Sequence, residues 1–399
     1  MAGNPLVREK IDQVPAILTE LGLDCWMLFT RESAEMHDPS LDLVVGTNVT
    51  WHSAFLLTRR GDRVAIVGSL DKANVAMHGH YAEIVPYTQG ITEDLRRLLA
   101  RLDPKTIAIN YSVNDHAADG ITHGQWLSLQ ASLEGTPYPP RLVSSERLIA
   151  ALRGRKTAGE RQRIRAACEV TVEIFEAVTP KLKAGVTEKQ FASMVTDEMR
   201  RRALAPAWDE EHCPAVFTGP DSAGAHAGPT DRPIEPGHIV NIDFGVRKDG
   251  YCSDLQRTWY VLKPGETRAP DAVQKGFDTI LRSIKDAARA IRPGKTGAEI
   301  DDVARGVVTT AGYDEYPHGT GHQIGRVAHD GGGGLLPRWE RYGNTPMLPI
   351  EPGQCYTIEP RLTVPGHGIA TCEDIVAVTD SGAEFLSKSQ DRLWLVGPA

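Results

Sequence analysis

A phrase near the middle of the chain recurs near its end. EPGHIVNID (235–243) returns as EPGQCYTIE (351–359), each opening on Glu-Pro-Gly and closing on a carboxylate after isoleucine, Asp243 in the first and Glu359 in the second. A second pair of phrases precedes them in the same order. KAGVTEKQF (183–191) and RPGKTGAEI (292–300) each set a glycine two residues ahead of a threonine and a Gln or Glu three residues after it. Gly185 and Gly294 predict helix ends; Thr187 with Gln190, and Thr296 with Glu299, predict capping boxes that open the next helices. The unit reads helix, Gly-x-Thr turn, helix, Glu-Pro-Gly, strand, carboxylate, and its copies lie roughly 110 residues apart. A duplication of this size predicts one domain with pseudo-twofold symmetry, and a ligand site near the axis would draw on both copies.

Glu-Pro-Gly suits a type II turn, with Pro and Gly at its two central positions. Alternation along the strand that follows puts Ile239, Asn241 and Asp243 on one face, and Cys355, Thr357 and Glu359 on the matching face of the second copy. A hairpin signal follows at Lys248-Asp249-Gly250. A turn at Lys248-Asp249 would set Asp254 directly opposite Asp243; a turn at Asp249-Gly250 would set the two diagonally, still on one face. The second copy supplies Glu359 and, after a longer loop with Pro365-Gly366, Glu373, and a bulge is expected there. Taken singly, each acid could be a cap, a surface ion pair or a partner of Arg257. Burying a carboxylate unpaired costs at least several kcal/mol, and four on one axis would repel strongly. Two divalent cations balance four negative charges, which points to a dinuclear centre.

HGTGHQIG (318–325) places two histidines four apart among glycines, where little bulk hinders approach to a metal. His322 is the expected nitrogen ligand, with His318 just outside. His329 follows in AHDGGGG, and His226 lies upstream in GAHAGP. The other nine histidines (His37, His52, His78, His80, His116, His123, His212, His238 and His367) are expected to be ordinary surface or core residues. Four oxygens and one nitrogen suit Mn²⁺, Zn²⁺ or a related ion. Gly331–Gly334 lacks the Gly-Lys-Ser/Thr of a phosphate loop and predicts a mobile loop.

Before the repeat, the first ~150 residues alternate short strands (CWMLFT 25–30, AFLLT 54–58, RVAIVG 63–68, TIAIN 106–110) with helices such as ITEDLRRLLARL (91–102), expected to start behind a Thr92 cap. A long helix from about Ala158 to Leu182 follows, with Thr171 the one polar member of its apolar stripe and Pro180 expected to loosen its last turn. A net charge of −8 argues against broad attraction to nucleic acid or anionic membranes. No apolar run reaches the roughly 20 residues of a membrane span, and the N-terminus has no apolar signal-peptide core. The six cysteines form no CxxC pair and are expected as buried free thiols in a reducing cytoplasm.

Asp243, Asp254, His322, Glu359 and Glu373 match in order and type the five metal ligands of the pita-bread metallopeptidases, a group that includes prolidase (Xaa-Pro dipeptidase), aminopeptidase P and methionine aminopeptidase. The eleven-residue gap between the aspartates, the HGxxH string and the Ile-Glu-Pro context also resemble that group. The resemblance implies an α/β (α+β) chain: residues 1–153 as a creatinase/prolidase-like domain, which methionine aminopeptidase lacks, and residues 154–399 as the pita-bread catalytic domain. It implies two divalent ions, manganese first with Zn²⁺ or Co²⁺ as alternatives, held by Asp243 on one, His322 and Glu359 on the other, and Asp254 and Glu373 across both. It implies hydrolysis of Xaa-Pro dipeptides by a metal-bridging hydroxide, with Glu359 passing a proton to the leaving nitrogen. His226 and His329 would contact the substrate or its reacting carbonyl, with His318 nearby. A homodimer is implied as well. The alternatives are an aminopeptidase P acting on Xaa-Pro-Yaa peptides, or a non-catalytic binding protein on the same fold. The chain departs from the prolidase-like pattern twice. Glu359-Pro360 is followed by Arg361-Leu362-Thr363 where Gly-x-Tyr is usual, and Thr371 stands where arginine is usual. Another cation must then hold a substrate carboxylate, and Arg361, Arg338 and Arg341 are the candidates.

Overall fold

In the computed structural model of the chain, which describes residues 4–113, 115–222 and 228–397, both copies of the repeat take the same backbone path. Gly185 and Gly294 each sit at φ 87°. Thr187 with Gln190 and Thr296 with Glu299 form complete reciprocal capping boxes. Each Gly-x-Thr turn is laced to the segment ahead of its Glu-Pro-Gly by equivalent bonds: Gly185 N–H to Ile234 O (2.8 Å) and Gly294 N–H to Ile350 O (2.9 Å). Thr187 bridges Pro233 and Thr296 bridges Pro349. The tripeptides are type II turns, with Gly237 at φ 91° and Gly353 at φ 90°, closed by N–H bonds from His238 to Glu235 O and from Gln354 to Glu351 O.

The chain divides into two compact units, Met1–Arg153 and Gly154–Ala399. The first is built on a six-stranded mixed sheet of β1 (Cys25–Thr30), β2 (Ser53–Thr58), β3 (Arg63–Gly68), β4 (Glu83–Tyr87), β5 (Ile107–Ile109) and β6 (Leu142–Ser144). Its spatial order is β4-β3-β2-β1-β5-β6. Separate apolar clusters cover its two faces, one around Trp26, Leu28 and Phe55, the other around Met27, Phe29 and Leu95, as alternation along the central strand β1 requires. The helix Thr92–Leu102 starts at Thr92 itself, with no side-chain cap. The expected Thr92 cap is corrected: its hydroxyl bonds to Ser132 Oγ (3.2 Å) instead.

The second unit carries β7 (Ala205–Pro206), β8 (Ala215–Thr218), β9 (Ile239–Phe244), β10 (Val246–Lys248), β11 (Tyr251–Cys252), β12 (Leu255–Val261), β13 (Gly321–His322), β14 (Gly334–Leu335), β15 (Cys355–Ile358), β16 (Arg361–Val364), β17 (Gly368–Thr371), β18 (Asp374–Thr379), β19 (Gly382–Phe385) and β20 (Trp394–Val396). The helices of each repeat back its own strands. Phe175 of helix Ala158–Val178 and Phe191 of helix Glu188–Arg201 meet Trp259 of β12 edge-on. Val273, Phe277, Ile280 and Ile284 of helix Asp271–Ala290 pack with Leu362, Val364 and Val376. Helix Ala158–Val178 gives way to a 3-10 turn over Thr179–Lys181, the loosening that Pro180 demands. The halves are stitched where β9 meets β17: Ile239 N–H bonds His367 O (2.8 Å) and the Asn241 amide bonds Ile369 O (2.6 Å). All six cysteines are buried free thiols, and among the described residues no helix is long and apolar enough to cross a membrane.

Because the two caps do the same work in the two halves, Thr187→Ala and Thr296→Ala should each lower the unfolding free energy by about 1 kcal/mol. Denaturant titration checks this, and a parent-like midpoint for either variant would contradict the capping role.

Candidate metal centre

The hairpin after β9 turns at Asp249-Gly250, both with positive φ (50° and 80°), as a type I′ turn requires. Of the two possible registers this selects the diagonal one. Gln256 is paired directly with Asp243 and Leu255 with Phe244, so Asp254 lies diagonally across from Asp243 and their carboxyl groups come within hydrogen-bond reach. In the second half the ladder pairs Ile358 with Asp374 and, on its far side, Arg361 with Thr371. One step on from the first pair, and two steps back from the second, Glu359 stands directly opposite Glu373. The bulge expected here is corrected: the register passes through unshifted, because the three-residue loop Pro365–His367 returns the strand without a slip.

Three of the acids sit at interruptions of the ladders: Asp254 lies between β11 and β12, Glu359 follows β15, and Glu373 precedes β18, while Asp243 is the last residue but one of β9, ahead of the gap at Gly245. Gly245 is required at its gap, since a Cβ there would lie 2.0 Å from Ser253 O. Backbone groups freed at the gaps bond across to other segments: Glu359 N–H to Thr320 O (2.7 Å) and Glu373 N–H to Gln256 O (3.2 Å). The latter joins the two halves beside the acids.

His322 enters on β13, whose neighbour Gln323 bridges Tyr356 of β15. Its Nε2 lies 3.7 Å from Asp254 Oδ2 and 3.5 Å from Glu359 Oε1. Its Nδ1 lies 3.2 Å from Gln323 O; a proton there leaves Nε2 as the free lone pair, the arrangement a metal-binding imidazole needs. Asp254, His322 and Glu373 each offer a ligand atom within 4.8 Å of the others'. Buried Asp243 Oδ1 and both Glu373 carboxylate oxygens have no hydrogen-bond partner. Orphaned oxygens of this kind are costly unless a cation takes them, so the donor set fits bound divalent ions. Burial pushes all four carboxyls above their usual range, and neighbouring carboxylates push Asp254, Glu359 and Glu373 further. Burial, then His329, holds His322 down to about 3. None of the four acids is the partner of Arg257, whose guanidinium pairs with buried Asp374 (3.2 Å) and bonds Glu373 O (2.8 Å) from behind.

The cluster opens into a cavity of about 750 Å³ that also includes His318, His329, Arg341, Arg361, Trp208, Tyr342 and Leu336 in its wall. The His329 ring meets His322 edge-on, with centroids 4.2 Å apart. His226 lies outside the described residues. Two sequence expectations are corrected. His212, expected to be an ordinary residue, lines the cavity. Arg338 does not; both oxygens of Asp302 hold its guanidinium at the surface (2.9 and 2.8 Å).

Sequence reasoning also missed Gln256. Its Nε2 donates to Asp243 Oδ2 and Glu359 Oε2, both at 3.3 Å, so one amide ties an acid of each half. Thr371 Oγ1 lies 2.7 Å from Gln256 Oε1 and 3.0 Å from Pro360 O, which sets the amide with its NH₂ toward the acids. The register that follows from an Asp249-Gly250 turn was the available signal, since it pairs position 256 with 243.

Comparison with known proteins matches residues 162–380 to the model of metallopeptidase family M24. An uncharacterised peptidase of Staphylococcus saprophyticus is 33% identical over 244 residues, covering 61% of this chain and 65% of that protein. The Xaa-Pro dipeptidase of Pyrococcus furiosus is 32% identical over 248 residues, covering 62% and 66%. The chain thus spans about two thirds of the length of these relatives. Among solved structures, an Xaa-Pro dipeptidase from Bacillus anthracis superposes with a TM-score of 0.74 at 25% identity, over 98% of this chain and 100% of that one.

The raised carboxyl values set a direction for stability. Carboxyls whose folded values are raised contribute fully below their unfolded values of about 4, and that contribution is lost as pH rises through the folded values. Bound cations remove the penalty. Chelator-treated protein should therefore melt lower at about pH 8 than at about pH 5, and Mn²⁺ should raise the pH 8 midpoint by several degrees. Melting curves that show neither effect would contradict the clustered arrangement.

Proposed function

Because the chain belongs to metallopeptidase family M24 and has its pita-bread fold, we propose that it is a dinuclear-metal peptidase that hydrolyses the imide bond of Xaa-Pro dipeptides. The observation that carries this is the meeting of Asp243, Asp254, His322, Glu359 and Glu373 in one cavity with carboxylate oxygens left unsatisfied. In this reading Asp243 would hold one ion, His322 and Glu359 would hold the other, and Asp254 and Glu373 would contribute to both. Two divalent cations bound there would supply Lewis acidity, polarising the scissile carbonyl and activating a water.

The chain's own groups do the rest. Gln256 holds Asp243 and Glu359 in register with each other. Glu359, facing the cavity, carries a proton to the leaving prolyl nitrogen, which has no N–H of its own. His329 and His318 donate to the oxygen on which negative charge builds. Trp208, Phe217 and Leu336 give the cavity apolar walls suited to a proline ring. No nucleophilic serine or cysteine is called on, and all six cysteines are buried. Mn²⁺ is the proposed ion, a homodimer the proposed assembly and a reducing cytoplasm the proposed compartment. Free, buried thiols support the last of these.

An assay with Mn²⁺ on matched Xaa-Pro and Xaa-Pro-Yaa peptides tests the proposal. The dipeptides should turn over faster, and Asp254→Ala should lose activity by on the order of 100-fold or more, at least the scale of outer-shell losses at metal sites, together with bound metal. Equal or faster cleavage of the tripeptides would move the assignment to aminopeptidase P, and no metal-dependent cleavage of either would reject it.

A further inference from the structure

Of the arginines around the cavity and behind it, one is unengaged. Arg257 is paired with Asp374, Arg305 is held by both oxygens of Asp301, and Arg338 by both of Asp302. Arg341 donates to Pro317 O and stacks on Trp339 and Tyr342. Arg361 lines the cavity half-buried, and among the described residues its guanidinium has no hydrogen bond, ion pair or ring contact. Four carboxylates share that cavity, yet none is within ion-pair distance of it.

The register explains its position. Arg361 of β16 is paired directly with Thr371 of β17, and these are the two places where the chain departs from the prolidase-like pattern. Where that pattern has glycine at the first and arginine at the second, this chain has arginine and threonine. Directly paired residues carry Cβ atoms about 4.5–5.5 Å apart on one face, so the guanidinium has moved across the strand pair without leaving the neighbourhood. The threonine left behind is committed to Gln256 and Pro360.

We propose that Arg361 is the anion subsite of this cavity and takes the free α-carboxylate of the residue that follows the scissile bond; the proposal rests on the peptidase reading above. A half-buried guanidinium without a partner gains when a carboxylate occupies it, and its planar fork suits that group. Arg361 is two strand residues, about 7 Å, from Glu359, a gap that its long side chain can shorten toward a carboxylate lying one residue, about 3.5 Å of chain, beyond the scissile bond. A peptide that continues past that residue has an amide there in place of a carboxylate, so Arg361 favours peptides that end at the residue after the cut.

The test measures binding apart from hydrolysis. A reduced-bond Xaa-Pro analogue, which cannot be cleaved, is titrated calorimetrically into the Mn²⁺-loaded full chain as the free acid and as the C-terminal amide. The parent should prefer the acid by roughly tenfold to hundredfold, the scale of one charge-assisted hydrogen-bonded contact. Arg361→Gln should lose that preference, Arg361→Lys should keep part of it, and Arg341→Gln should keep it in full. Bound metal, measured in each variant, should stay at the parent's level. Equal binding of acid and amide by the parent, or an acid preference that survives in Arg361→Gln, would overturn the proposal, as would its loss in Arg341→Gln instead. Failure of the parent to cleave any Xaa-Pro peptide would count against the peptidase reading, a different outcome that the titration does not touch.

Discussion

Four carboxylates crowded together in the wall of one cavity are the constraint on which this unit depends. Such a group cannot ionise fully without opposing charge, and its cost in a dry interior exceeds what any single packing contact returns. The protein does not relieve it with basic side chains. Arg257 stands directly behind Glu373 but gives its charge to Asp374 and its remaining protons to backbone carbonyls. The charge deficit is left facing the cavity, where a mobile cation can reach it. A fold that retains that much unpaired negative charge is organised for a ligand rather than for its own stability.

The duplicated architecture is what makes the cluster geometrically possible. A single hairpin can present two acids on one face, and two related hairpins meeting at an axis present four. Asp254, Glu359 and Glu373 also lie at breaks in their ladders, where the backbone turns aside and the side chain has room to converge with the others. The broken backbone is not left unsatisfied: Glu359 bonds Thr320, and Glu373 bonds Gln256. Those bonds tie the loop that carries His322 to one acid and the two halves to each other. Asp301 supports the same loop from below by accepting from Thr320 and pairing with Arg305, which in turn bonds the carbonyls of Tyr316 and His318.

The repeat was legible because its signals are local. A capping box, a type II turn and an alternating strand are each encoded within a few residues, so reading two copies in the same order was enough to expect the symmetry and the four acids. His322 was legible for a similar reason, since its glycine-rich setting leaves an open approach. Gln256, His212 and Arg361 were harder. An amide that bonds one acid from each half looks like any polar strand residue until the register is known. His212 joins the cavity only through the path of its loop, which no nearby pattern announces. Arg338 shows the converse: a well-placed arginine in sequence is spent on Asp302, a partner 36 residues away.

By itself, the amino-acid sequence determined the duplicated unit, the turns that launch its strands, the five side chains that converge on the cavity and the chemistry they suit, because periodicity, turn residues and charge are properties of short segments. It left open whether Asp254 faces Asp243 squarely or diagonally, how Glu359 and Glu373 are aligned, which arginine remains unpaired, and what holds the acids in place. Tertiary structure decided these through strand register and competition among distant partners. A one-residue slip exchanges the faces of a strand, and a charged side chain takes whichever partner folding brings within about 3 Å.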